Sequence, residues 1–178
     1  EAAGLRYELE ATETGVSLET VELSSVDGQE IYYGRHPLYP GYVTGTEDGT
    51  AVAPLLGHLT GYDGGASDYT FGQTSFMLAY SDHLVVYSFK PTGPKDCLLE
   101  VTWLVHTEAQ EGVDYNLGRL CWLWDVTSAA DKTIIENNQR GIDSRFYEPG
   151  PLSDMEAYVA KFLAWYVSRL RAGLAVGA

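Results

Sequence analysis

Basic residues are scarce: 11 Lys and Arg stand against 25 Asp and Glu, a net charge of −14 and a pI near 4.5. That balance argues against holding DNA, RNA or an anionic membrane surface through bulk electrostatics. No run of about 18 apolar residues exists, so the sequence predicts no spanning helix. The opening EAAGLRYELE has neither the basic nor the apolar region of a secretory leader. Cysteine is nearly absent. Cys97 and Cys121 form no CxxC and no zinc spacing. Both lie in apolar runs, CLLEVTWLV and LCWLW, which predicts reduced, buried thiols and suits a cytoplasmic, reducing compartment. The four histidines, His36, His58, His83 and His106, are too far apart in sequence to form a helical metal-ligand pair. No nucleophile elbow, no Ser/His/Asp set and no phosphate-cradling Gly-rich loop is legible.

What is present is aromatic, with 13 Tyr and 4 Trp. Such residues line apolar pockets, but a Tyr-rich sheet accounts for them equally well. At 178 residues the chain fits one domain, 1–178, with a sizeable core. LRYELEA and GVSLETVEL alternate at period two, with DGQE as the turn that follows. IYYGRHPLYPGYVTGTEDGT, rich in Gly and Pro, predicts a long irregular connection. AVAPLLGHL predicts a short strand interrupted by Pro54, and GYDGGASD a flexible loop. YTFGQTSFMLAYS, HLVVYSFKP and CLLEVTWLVHT are the strongest strands, joined by the tight SDHL turn and by PTGPKD into an antiparallel meander.

After Thr107 the period changes to 3.6. Leu117, Leu120, Cys121 and Trp124 share one helix face. EPGP ends that stretch, and Ser153 with Glu156 forms the capping box of a last helix. Its stripe is Met155, Tyr158, Val159, Phe162, Trp165, Tyr166 and Leu170, expected to pack Phe162, Trp165 and Tyr166 on the sheet. The fold class is α+β: a helix-grip-like curved antiparallel β-sheet packed on a long C-terminal α-helix. Tyr80, Tyr87 and Trp103 on strands, and Trp124 on the inward helix face, are the candidate substrate-binding residues. The same rings could equally fill a solid core.

Asp131 is the odd residue. If the helix from Asn116 continues past Trp124, its apolar face runs through Ser128, Asp131, Ile135, Asn138 and Ile142. A buried carboxylate there needs a cation, a metal or several donors. Alternatively SAAD is a capping box that starts a new helix at Ser128, with Asp131 a surface cap.

The segment LWDVTSAADKTIIENNQRGIDSRFYEPGPLSDMEAYVAKFLAWYVSRL resembles the C-terminal signature of the catalytic domain of Rieske non-haem iron (aromatic-ring-hydroxylating) oxygenase alpha subunits. The resemblance rests on Trp124, Thr127, Asp131, Glu136, Gln139, Gly141, Ser144, Tyr147, Gly150, Ser153, Glu156, Phe162, Trp165 and Tyr166, taken in order. It covers about a quarter of the chain firmly, and the preceding strands more loosely. It implies that Asp131 is the carboxylate of a two-histidine, one-carboxylate Fe(II) site that activates dioxygen to hydroxylate an aromatic or small organic substrate. It further implies a [2Fe-2S] Rieske cluster, a reductase or ferredoxin as electron donor, and a homo-oligomer, a trimer by family resemblance. The Rieske motifs and the adjacent histidine pair are missing from these residues. The chain then reads either as the C-terminal part of a longer oxygenase, its histidine ligands supplied from before Glu1, or as an iron-free helix-grip binding module for an apolar ligand. As an isolated chain the first would be incomplete and inactive.

Overall fold

The computed structural model describes residues 19–26, 29–70, 72–153 and 156–176. The predicted strand over residues 5–11 lies outside them. Among the described residues, six strands form one sheet in sequence order: β1 Glu19–Val26, β2 Gln29–Pro37, β3 Gly65–Thr70, β4 Ser75–Ala79, β5 Leu84–Pro91 and β6 Cys97–Leu104. Every neighbouring pair is antiparallel. Two helices follow, α1 Leu117–Ile142 and α2 Ala157–Val176. The α+β class is as expected. The chain divides into two compact units, residues 1–135 and 136–178, with the boundary inside α1.

The predicted meander of β4, β5 and β6 is present, and it is longer than the sequence pattern suggests. Residues 31–37, expected to be irregular, continue β2, because β3 supplies partners as far as Pro37 opposite Gly65. Proline is tolerated there because it sits at the end of the strand. GASD, expected to be loop, opens β3 for the same reason. Conversely, YTFGQTSFMLAYS is not one strand. It breaks after Thr70, and Gly72 takes a left-handed φ of 64° in the turn to β4. Tyr80 therefore lies just beyond β4, its amide donating to the His83 carbonyl at 2.9 Å across the β4–β5 turn.

AVAPLLGHL forms no strand. Its backbone is satisfied elsewhere: the Leu56 amide donates to the Ser81 carbonyl, and the Val52 amide to the Asp82 carboxylate. Val52, Ala53 and Leu120 form a buried cluster, with Trp103, Val105 and Tyr115 packed against it. Both cysteines are free, but Cys97 is exposed on β6, the edge strand, and Cys121 is half-buried. Both were expected to be buried: Cys97 shares the face of the half-buried Leu99, Val101 and Trp103 but stands at the first position of β6, where it is exposed, and Cys121 lies on α1.

Helix α1 begins where its period predicts. Asn116 Oδ1 accepts the Arg119 amide at 3.0 Å, the bond of an N-cap. It then runs through Ser128 without a break, so no helix starts at Ser128. Before α2, Glu156 Oε2 accepts the Ser153 amide at 2.7 Å, the reach-back half of the predicted capping box. Hydrogen bonds from the Ser153 amide and hydroxyl hold the Glu156 carboxyl below its ordinary value. Met155 lies outside the described residues. Within α2, Phe162 meets Trp165 at 5.7 Å and stacks with Tyr166 at 6.3 Å. Phe162 and Tyr166 are exposed.

Candidate functional site

Leu120, Trp124, Ser128 and Asp131 stand at spacings of four, four and three along α1. At about 100° per residue these positions fall on one face. Leu120 enters the core. One turn on, Trp124 meets Tyr87 of β5 edge-on at 5.6 Å. One more turn on, Ser128 Oγ lies 2.8 Å from the Tyr87 hydroxyl. Tyr87 is buried and also stacks on Phe76 of β4 at 4.5 Å, with Phe89 beside it at 6.4 Å. A buried phenol needs a polar partner, and here a helix serine provides it. Ser and Thr in helices commonly turn back to the carbonyl four residues earlier. Thr127 does so, donating to the Leu123 carbonyl at 2.9 Å, whereas Ser128 meets the sheet. Burial raises the Tyr87 hydroxyl pKa. Hydrogen bonds with Ser128 and Thr127 oppose that shift, and the charges of Asp131 and Asp125 add to it.

Asp131 thus shares the face of Leu120 and Trp124, close enough for its charge to act on Tyr87. It is exposed, as are Ala129, Ala130 and the residues that follow it as far as Asn138, so the expected burial does not occur. Ile135 and Ile142, predicted on the buried face, are likewise exposed. Arg119, Arg140 and Arg145 are engaged elsewhere: Arg119 with Asp48 and Thr50, Arg140 with Asn137, and Arg145 over the Phe146 ring. Among the described residues no group of three or more His, Cys, Asp or Glu is placed to hold a metal. Asp131 is an accessible carboxylate on the α1 face of Trp124 and Ser128, and the described residues supply no complete iron centre.

The four aromatic candidates fall into neighbouring groups. Tyr87 and Trp124 meet directly. Trp103, opposite Val85 in the β5–β6 register, packs on the Leu120 cluster. Tyr80 stacks on His83 at 4.6 Å, and burial, then the nearby Tyr87 and Asp82, raise its hydroxyl pKa. The indole nitrogens of Trp103 and Trp124 are buried without hydrogen-bond partners among the described residues. A cavity of about 450 Å³ lies at the start of α1 instead, lined by Val52, Pro54, Val113, Tyr115, Asn116 and Arg119 among others. None of the four candidates lines it.

Sequence reasoning missed a buried polar cluster at the β4–β5 turn. Asp82, His83 and Thr44 are all fully buried. Asp82 accepts from the Thr44 hydroxyl at 2.6 Å, from His83 Nδ1 at 2.8 Å and from the Val52 amide at 3.0 Å. His83 Nε2 is buried with no partner among the described residues. The adjacent Asp and His of SDHL were the only local signal, and they read simply as a turn. His36, expected in a loop, sits on β2 with Nε2 2.9 Å from Asp68 of β3. That pairing raises the His36 pKa and lowers that of Asp68.

The pattern of the ring hydroxylating alpha subunit (catalytic domain) matches residues 25–172. The chain belongs to that family, the catalytic domain of Rieske-type oxygenase alpha subunits. It is similar to the glycine betaine monooxygenase oxygenase subunits of two Pseudomonas aeruginosa strains, 38% identical over 138 residues that make up 76% of this chain and 32% of each relative. The same-named subunit of Chromohalobacter salexigens is 40% identical over 134 residues, 74% of this chain and 30% of that protein. The chain therefore spans about a third of the length of these curated relatives.

Proposed function

We propose that this chain forms the sheet-and-helix part of the catalytic domain of a Rieske-type non-haem iron oxygenase, and that Asp131 is its iron-binding carboxylate. The observation that carries this reading is the placement of Asp131 on the α1 face that bears Trp124 and Ser128, with its charge acting on Tyr87. The order of motif residues around Asp131 and the family membership support it. Two further ligands, histidines by family resemblance, come from outside these 178 residues. Fe(II) held by Asp131 and those ligands would supply dioxygen activation: one oxygen atom would enter a substrate C–H bond and the other would leave as water, with two electrons delivered through a [2Fe-2S] cluster from a reductase or ferredoxin and two protons taken from solvent. The helix-grip form, the trimeric assembly and a reducing cytoplasmic setting belong to the same reading. The two free thiols suit that setting.

This chain's own residues hold and exclude. Phe76, Tyr87, Phe89 and Trp124 form an aromatic cluster, and Asp125 and Asp131 place negative charge beside it. Aromatic rings beside carboxylates suit a small N-methylated cation through cation–π attraction. The relatives' name points to the same class, so the substrate is read as a small quaternary-ammonium zwitterion of the glycine betaine type rather than an aromatic ring.

The test is Asp131→Ala in the full-length oxygenase chain. Mononuclear iron and substrate-dependent dioxygen uptake should be lost, while the absorption of the Rieske cluster is kept. Normal iron content in that variant would overturn the reading and leave Asp131 an exposed helix residue.

A further inference from the structure

The Tyr87 hydroxyl is a well-restrained polar group whose environment includes the Asp131 charge. Phe76 stacks on its ring and Trp124 meets the ring edge-on, so the phenol has little freedom to tilt. Tyr87 lies inside the sheet, with Phe76 opposite on β4 and Val101 opposite on β6. Its hydroxyl is therefore referenced to three adjacent strands. The bond from that hydroxyl crosses to Ser128, and Asp131 follows three residues later, about 4.5 Å further along the axis at 1.5 Å per residue.

Before Ser128, α1 meets Tyr87 through the edge-on ring of Trp124, and beyond Ser128 the helix does little to fix the carboxylate. Among the described residues of α1, Leu120 alone is fully buried, and it lies three turns before Asp131. From Ala129 to Asn138 the helix is exposed. A twist of α1 beyond Trp124 would leave Leu120 in contact while swinging Asp131 away. A hydrogen bond at Ser128 resists that rotation, because it is directional and lies on the Asp131 face. Packing at Leu120 is not directional.

We propose that Tyr87 and Ser128 are positioning residues for Asp131: their hydrogen bond sets the rotation of α1 and so the point at which the carboxylate meets its cation. This rests on the reading of Asp131 as a metal ligand. It explains why a serine, a poor helix former, stands in the middle of a 26-residue helix. Outer partners that orient metal ligands typically contribute about 10–100-fold to metal affinity.

The experiment uses the full-length chain, with mononuclear metal removed and Co(II) as the probe. Tyr87→Phe keeps the ring and removes the hydroxyl. Ser128→Ala removes the partner, and Ser128→Thr restores a hydroxyl at the same position. Affinity and the visible Co(II) spectrum are read together, alongside the thermal transition. Tyr87→Phe and Ser128→Ala should each weaken Co(II) binding about tenfold or more and shift its bands. Ser128→Thr should recover most of both. Amide hydrogen exchange over residues 128–134 of the metal-free protein should rise in the same two variants. A purely structural role would lower the thermal transition and leave the spectrum alone. If Tyr87→Phe and Ser128→Ala bind Co(II) like the parent while Asp131→Ala abolishes binding, the positioning role is overturned and the ligand reading stands. If Asp131→Ala itself keeps Co(II), both fall. Should Tyr87→Phe fail to fold, the Ser128 pair, whose side chain is only half-buried, decides the matter by the same readouts.

Discussion

Asp82 and His83 are neighbours in the chain and both are fully buried, with Nδ1 of His83 2.8 Å from Asp82 Oδ1. The same carboxylate receives the Thr44 hydroxyl and the Val52 amide, and so ties the segment around residues 44–52 to the β4–β5 turn. Burial pushes the Asp82 carboxyl pKa up. Hydrogen bonds from His83, Thr44 and the Val52 amide outweigh that and hold it below the ordinary value. A carboxyl depressed in the folded state stabilises the fold above its unfolded pKa, about 3.9. That contribution is lost as pH falls through the folded value. Asp82→Ala should cost about 3–5 kcal/mol, because it leaves buried donors unpaired. It should also flatten the acid limb of stability below about pH 4. Urea melts of parent and variant across that range check both; an unchanged acid limb would remove Asp82 as its source.

Gly45 is required by the ring of Tyr80. A Cβ added there would lie 2.5 Å from Tyr80 Cζ. Gly45→Ala should destabilise by about 1–3 kcal/mol through overpacking. In a Tyr80→Leu background the same substitution should cost clearly less, a coupling that a double-mutant cycle measures.

Asp48 is exposed, yet its carboxyl is held down to about 2, first by the Thr50 amide and then by the Thr50 hydroxyl, with Arg119 adding to both. Thr50→Val removes the hydroxyl and keeps the amide. The Asp48 pKa should rise, staying below the ordinary carboxyl value, when followed by NMR titration. No rise would mean that the amide and Arg119 carry the whole effect.

Leu120 and Ile135 lie on the same helix and differ in burial, at 2% and 59% exposed. Leu120→Ala should cost about 2–5 kcal/mol, and Ile135→Ala less than about 0.5 kcal/mol. Chemical denaturation separates the two. Similar losses would mean that α1 is covered near Ile135 as well.

The features legible in the chain were those of short range. Period two marked β4, β5 and β6, and period 3.6 marked α1 from Leu117 onward. The Ser153–Glu156 pair, which caps a helix through neighbours three residues apart, could be read from spacing alone, whereas the Asn116 cap came from the structure. The ordered motif around Asp131 carried the family. Edges of strands were misread wherever a distant partner overrode the local signal, as at residues 31–37 and 65–68, whose Gly and Pro argue for loop until β2 and β3 pair. Burial was also beyond local reading. Asp131 shares the apolar face of α1 yet is exposed, because exposure depends on how far the sheet reaches beneath the helix. The Asp82 cluster joins residues 30 and 38 positions apart, and the Tyr87–Ser128 bond spans 41. No periodicity encodes such contacts. They exist because a buried carboxylate and a buried phenol each need hydrogen-bond partners, and folding alone brings those partners within reach.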